Sequence, residues 1–169
     1  MPNVTVYLGL GSNLGDREGH LGRGLEALGA RGVRVTAVSG LYETEPVGGP
    51  AQGPYLNLAA GAETALSPEA LLEAALEAEA EAGRVRTVRN APRTLDVDIL
   101  FYGDLVRRTG HLTVPHPRLH ERRFVLVPLA ELAPALRHPG LGRTVAELLA
   151  TYPDHSDVAV FPRRVEARP

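Results

Sequence analysis

The N-terminal part of the chain switches its hydrophobic period from two to 3.6 and back, and no other feature restricts the fold as strongly. Val4, Val6, Leu8 and Leu10 alternate with Thr5, Tyr7 and Gly9, the pattern of a strand with one face in a core. The alternation stops in GSNLGD, where Asp16 is placed to cap a helix. Leu21, Leu25 and Leu28 then recur as one apolar stripe until GARG ends it. A second alternating run, Val33 to Thr44, predicts one continuous strand. EPVGGPAQGP follows as a Gly- and Pro-rich loop of a length usually associated with binding, and YLNLAAGAET from Tyr55 predicts a third strand.

Ser67 as N-cap, Pro68 at the first helical position and Gly83 as the stop define the next helix. Leu72, Ala75 and Leu76 predict its buried stripe, whose next member is Glu79, a carboxylate aimed at the core. LDVDILFYG reads as a strand, and Gly103 with Asp104 as a hairpin turn into RTGHLTVPHPR. ERRFVLVPLAELAP predicts a short helix kinked or broken at its proline, and Thr144 with Glu147 has capping-box spacing for a last helix. The order strand, helix, strand, strand, helix, strand predicts an α+β fold: a ferredoxin-like antiparallel sheet with helices packed on it in a three-layer α/β/α arrangement. A single domain over residues 1–162 and a frayed basic tail over 163–169 are expected.

Composition excludes several chemistries. All 18 basic residues are arginine, so neither a P-loop nor a Schiff-base lysine exists, and the absence of cysteine removes thiolate metal sites and thiol nucleophiles. A net charge of -2 with pI near 6.3 argues against nucleic acid or an anionic membrane as a general partner. No window has the apolar length of a membrane span and no basic region precedes the first apolar run, so a cytoplasmic protein is expected.

Asp96 and Asp98 stand two apart in the predicted strand and therefore share a face, with Cα atoms roughly 6.5–7 Å apart. Val97, Ile99 and Phe101 are expected on the opposite, apolar face. Two close carboxylates repel unless a cation lies between them, and an all-oxygen site suits a hard ion such as magnesium; ion pairing to Arg93 is the plainer reading. Arg84, Arg86, Arg89 and Arg93 concentrate positive charge just upstream, the equipment of phosphoryl or pyrophosphoryl transfer rather than of an ordinary solvated loop. GLGSNLG lacks the third glycine of a dinucleotide fingerprint, and Gly11 to Gly15 read as a tight turn and helix start. His116 and His120 have the spacing of zinc ligands, but Pro117 lies between them and no third ligand is evident. Arg118, Arg122 and Arg123 add further candidate phosphate donors.

Together LGLGSNLGD, LYETEPVGGPAQGPYLN, the helix ending in GRVR, APRTLDVDIL and LTVPHPRLHERRFVLVPL resemble the hydroxymethyl-dihydropterin pyrophosphokinase family over nearly the whole chain. The resemblance implies a ferredoxin-like fold and transfer of pyrophosphate from ATP to a pterin alcohol, with two Mg2+ ions between an aspartate pair and the ATP phosphates. It implies Asp96 and Asp98 as the metal ligands and, with Arg84 and Arg93, the catalytic set. Glu79, Arg84, Arg93, His116 and Arg122 are implied at ATP, and Thr44, Glu45, Pro46, Val47, Tyr55, Asn57 and Phe124 at the pterin. Glu45, Thr87 and Asn90 depart from residues frequent in the family. ATP and the pterin are the expected partners of a monomer. A metal-dependent nucleotidyltransferase or phosphohydrolase is a second enzyme class compatible with Asp-x-Asp and arginines, and a ferredoxin-like RNA-binding module is a non-enzymatic one. The latter needs exposed aromatics, and these are only 5% of the chain.

Overall fold

A computed structural model describes residues 3–44, 53–83, 94–151, 158–162 and 165. Strand β1 (Val4–Ser12) leads into helix α1 (Arg17–Gly29), whose first turn is closed by the Asp16 side chain accepting from Gly19 N. Leu21, Leu25 and Leu28 face the core as expected. Helix α2 (Pro68–Glu81) is capped by Ser67, which accepts from Ala70 N, and Gly83 follows at a φ of 80°, a conformation glycine adopts without strain.

Six strands form one antiparallel sheet. β5 (Asp96–Tyr102) lies beside β1, β1 beside β4 (Tyr55–Thr64), and β4 pairs with both β2 (Val33–Val38) and β3 (Leu41–Thr44); β8 (Val158–Phe161) adds to β3. Helices α1 and α2 cover one face, over Val6, Leu8, Leu10, Leu58, Ala60, Val97 and Ile99. Helix α3 (Arg123–Leu132) and helix α4 (Val145–Thr151) cover the other, over Ala59, Leu100 and Phe101. This is the α/β/α arrangement expected, with an α+β ferredoxin-like core.

Several local expectations are corrected. The run from Val33 to Thr44 is two strands, because the Ser39 hydroxyl takes Ala59 N (2.9 Å) out of the ladder and Gly40 N turns to the Glu131 carboxylate (3.1 Å to each oxygen). The buried stripe of α2 is Leu71, Ala74, Ala75 and Ala78, at i, i+3, i+4 and i+7, while Leu76 is 43% exposed. Helix α3 continues through buried Pro128 to Leu132 rather than breaking there. Phe101 lies on the α3 face and not with Val97 and Ile99. The β1–β5 register shifts between Tyr7 and Leu8, so Leu100 is an extra residue and the alternation after Ile99 is inverted.

The chain beyond Gly103 does not return along β5. A two-stranded ladder forms between β6 (Arg107–Arg108) and β7 (Thr113–Val114); Leu105 N closes the turn onto Tyr102 O (3.0 Å), and His116 N reaches β5 at Leu100 O (3.0 Å). Pro115 and Pro117 flank that residue and lack the N–H groups a longer ladder needs. Thr144 and Glu147 make the reciprocal capping box, through Glu147 N to Thr144 Oγ1 (3.1 Å) and Thr144 N to Glu147 Oε1 (3.2 Å). The strand after α4, β8, is missing from the sequence expectation. Val165, beyond it, packs against the α1/α2 core.

Candidate active site

The strand register shows which residues lie side by side on the α3 face of the sheet. Gly11 of β1 is flanked by Asp96 of β5 on one side and Asn57 of β4 on the other, with Tyr42 of β3 next beyond Asn57. Gly9 is likewise flanked by Asp98 and Ala59. Cross-strand partners share a face, so Asp96 and Asp98 lie side by side on it while Val97 and Ile99 are buried on the reverse. Opposite two carboxylates the sheet thus presents two glycines, over which neighbouring side chains close in: Leu100 at Gly9, and Asn57 and Tyr55 at Gly11. Gly9 lies in strand β1 as expected, and Gly11 belongs to the same strand, not to the turn expected over Gly11–Gly15. Glycines at alternate positions of an alternating run were the available signal, since an in-strand glycine marks a close approach.

Among the described candidates, Asp96, Asp98 and His116 lie on the β5 side of Gly11, and Thr44, Tyr55 and Asn57 on its β4 side. Phe124, expected with the pterin set, lies against Arg122, expected with the ATP set. On the β5 side, Asp98 is one-third exposed and its Oδ1 lies 4.0 Å from His116 Nε2. His116 Nδ1 accepts from Arg118 N (3.2 Å), which leaves the ring proton on Nε2, facing the aspartate. Burial, with help from Arg122 and Arg118 and against Asp96, pushes His116 down to about 4. The contact with Asp98 is therefore a neutral imidazole N–H beside a carboxylate and not an ion pair at neutral pH. Arg122 stacks over the Phe124 ring (5.5 Å to its centroid). Burial and Arg118 lower its guanidinium, and Asp98 and Asp96 oppose that effect.

Glu79 is 3% exposed, and its carboxylate accepts from Val97 N at 2.8 Å. That backbone group lies between the two aspartates, so α2 holds β5 at the point where both carboxylates project. The expectation that Glu79 is aimed inward holds, although its immediate partner is the strand backbone.

On the β4 side, Asn57 Nδ2 donates to Thr44 Oγ1 at 2.7 Å, and both residues are buried. Tyr55 is the cross-strand partner of Thr44 and packs against Gly11: a methyl there would meet Tyr55 Cδ1 at 3.4 Å and Asn57 Oδ1 at 2.8 Å. Tyr42, which sequence reasoning passed over, is tied through its hydroxyl to Glu131 of α3 (2.6 Å). Asp96 and Asn57 are two strand spacings apart, roughly 10 Å between Cα atoms. Glu45, Pro46, Val47, Arg84 and Arg93 lie outside the described residues.

The two carboxylates fit a hard divalent cation: both are oxygen donors on one face, and Asp98 is one-third exposed. Among the described residues no group of three or more His, Cys, Asp or Glu is placed to hold a metal ion by itself. His116 and His120 have different neighbours, Asp98 for the first and the His138 ring for the second.

Comparison with known proteins bears on the family. Residues 7–134 match the model of the family 7,8-dihydro-6-hydroxymethylpterin-pyrophosphokinase (HPPK). A Bacillus subtilis protein named 2-amino-4-hydroxy-6-hydroxymethyldihydropteridine pyrophosphokinase is 48% identical over 131 residues, 77% of this chain and 78% of that protein. A protein of the same name from Methylorubrum extorquens is 47% identical over 148 residues, 87% of this chain and 92% of its own length. The folic acid synthesis protein fol1 of Pneumocystis carinii is 38% identical over 160 residues, 95% of this chain but 22% of that protein. Among solved structures, Plasmodium falciparum HPPK-DHPS with pterin and p-hydroxybenzoate superposes with a TM-score of 0.67 at 16% identity, over 89% of this chain and 42% of the other, and shows the shared fold. The chain belongs to the 7,8-dihydro-6-hydroxymethylpterin-pyrophosphokinase family.

Proposed function

We propose that the cross-strand row Asp96, Gly11, Asn57 is the axis of the reaction, with ATP phosphates at its β5 end and the pterin at its β4 end. The family's activity is transfer of pyrophosphate from ATP to the hydroxymethyl group of dihydropterin in folate synthesis. The observation that carries the assignment of residues is the pairing register. Asp96 stands to one side of Gly11, and Asn57, bonded to Thr44, stands to the other, while His116 lies beside Asp98, and this supports the reading.

In this arrangement the hydroxymethyl oxygen bonds to the β-phosphorus, the bond from that phosphorus to the α-phosphate oxygen breaks, AMP leaves, and the hydroxyl proton is released. Asp96 and Asp98 would hold Mg2+, two ions by the family resemblance, whose chemistry is to neutralise the phosphates and polarise the transferring group. Arg84 and Arg93 are the proposed catalytic arginines, with Glu79, His116 and Arg122 completing the ATP end. His116 offers a fixed N–H at Nε2, and a phosphate brought beside it raises the imidazole's proton affinity and strengthens that bond. Thr44, Glu45, Pro46, Val47, Tyr55, Asn57 and Phe124 form the proposed pterin end, Asn57 and main-chain groups reading the ring edge and the aromatic rings its face. Two small molecules are the proposed partners of a monomer working in the cytoplasm. The negative net charge supports the lack of a nucleic-acid partner, and among the described residues no helix is long and apolar enough to cross a membrane.

Incubation with Mg-ATP and 6-hydroxymethyl-7,8-dihydropterin is expected to give pterin-dependent AMP, and Asp98→Ala to cut turnover by at least on the order of 10²–10³-fold with an unchanged circular dichroism spectrum. Release of ADP or free phosphate instead, or undiminished turnover in the variant, would falsify the assignment.

A further inference from the structure

Arg17 is the first residue of α1, where the positive end of the helix dipole disfavours a cation. Its contacts show what holds it there. One terminal nitrogen donates to Pro54 O at 3.0 Å, the other lies 2.9 Å from Glu43 Oε2, and the guanidinium sits over the Phe161 ring at 5.8 Å. Glu43 is the penultimate residue of β3 and Pro54 the residue before β4. A single planar group therefore bridges the two chain ends that enter and leave the segment between those strands, and also reaches β8. Asn13 adds a second tie from the same turn, its Nδ2 donating to Gly53 O at 3.2 Å.

The neighbours of these anchor points face the site. Thr44 follows Glu43 and Tyr55 follows Pro54; the two are cross-strand partners, Thr44 accepting from Asn57 and Tyr55 packing on Gly11. Side chains alternate along a strand, so a contact that fixes Glu43 on one face fixes the direction of Thr44 on the other. We infer that Arg17 is a positioning residue for the pterin end of the site, acting from the reverse side of the sheet through Glu43 and Pro54. This inference rests on the assignment of Thr44, Tyr55 and Asn57 to the pterin. Arginine suits the task because its rigid fork serves two acceptors at once, whereas an ammonium is a point charge on a flexible stem.

The test uses the full chain as wild type, Arg17→Ala and Arg17→Lys. Calorimetric titration with 6-hydroxymethylpterin, in the presence of Mg2+ and a non-hydrolysable ATP analogue, is paired with titration of the analogue alone, thermal melting and steady-state kinetics. Arg17→Ala is expected to raise both the Kd and the KM for pterin about 10-fold, the loss of roughly one charge-assisted hydrogen bond. Affinity for the ATP analogue should stay within about twofold and Tm should fall by no more than about 2–4 °C. Arg17→Lys should recover part of the pterin affinity. Unchanged pterin affinity in Arg17→Ala, or equal weakening of both ligands with a larger drop in Tm, overturns the positioning role and leaves the site assignment standing. A wild-type protein that binds no pterin overturns both.

Discussion

Gly11 offers a sharp test of the site floor, because two effects of known size oppose one another there. The backbone at Gly11 is ordinary strand, so replacing it with alanine should by itself stabilise the protein by about 0.4–1 kcal/mol through the unfolded chain. Against this, the new methyl would lie 2.8 Å from Asn57 Oδ1 and 3.4 Å from Tyr55 Cδ1. The first distance is not tolerated, so the Asn57 amide must turn or the strands must part. Overpacking of this kind costs about 1–3 kcal/mol, and turning the amide breaks its buried bond to Thr44 Oγ1, worth about 0.5–1.5 kcal/mol. The cost exceeds the gain, and a net loss of about 1–2 kcal/mol corresponds to a fall in Tm of about 2–8 °C for a domain of this size.

Function should respond on one substrate only. With Asn57 displaced, KM for the pterin should rise about 10-fold, one misplaced hydrogen bond, while KM for ATP changes less than about threefold. Steady-state AMP formation with each substrate varied in turn, together with a fluorescence melt, measures both quantities. Gly9→Ala is the stability control: its methyl would meet Leu100 Cδ1 and Cδ2 at 3.6 Å, ordinary contact, so Tm should not fall. A Gly11→Ala protein that melts no lower than wild type with an unaltered pterin KM would show that Asn57 is not held against the floor, and the register argument for the pterin end would fail.

Two further outcomes follow from groups on the β5 side. Glu79→Ala strands the buried Val97 N–H and should cost about 1–3 kcal/mol in urea melts, with a larger loss of kcat than of ATP affinity because Asp96 and Asp98 flank that residue. Glu79→Gln, which keeps an acceptor oxygen, should recover most of the stability; equal losses in both variants would disprove the bond's role. His116 is pushed down from 6.5 to about 4, so below pH 6.5 the unfolded chain takes up a proton that the native state refuses. Its contribution is present above pH 6.5 and lost as pH falls towards 4, at most roughly 3 kcal/mol. In metal-free buffer His116→Asn should flatten that part of the stability profile, and a profile of unchanged slope between pH 4 and 6.5 would contradict the burial argument.

The parts of this molecule legible from one sequence are those whose cause is local. Asp16 and Ser67 cap their helices through side chains three residues from the amide they hold, and Leu21, Leu25 and Leu28 mark a face by spacing alone. The Asp96–Asp98 pair was equally visible, because a two-residue separation in a strand fixes a shared face. What escaped had its cause elsewhere in the chain. The break between β2 and β3 depends on Ser39 bonding Ala59 and on Glu131 holding Gly40, residues 20 and 91 positions apart in their respective pairs. Strand β8 is four residues long and is stabilised as a strand by pairing with β3.

Leu100 shows how such a distant cause reaches the site. Val97, Ile99 and Phe101 alternate in the sequence, and alternation predicts one face for all three. The β1 partner strand instead pairs Leu8 with Ile99 and Tyr7 with Phe101, and the extra residue turns Leu100 and Phe101 together onto the α3 face. The inversion divides β5 by task. Before the bulge, alternation keeps Asp96 and Asp98 on one face, opposite Gly11 and Gly9. After it, Leu100 and Phe101 pack under α3, and Leu100 O receives His116 N, which brings the imidazole alongside Asp98. A bulge re-aims side chains without ending the strand. Here it lets one seven-residue strand set two carboxylates on a face and cover the same face with hydrophobic packing a few residues later.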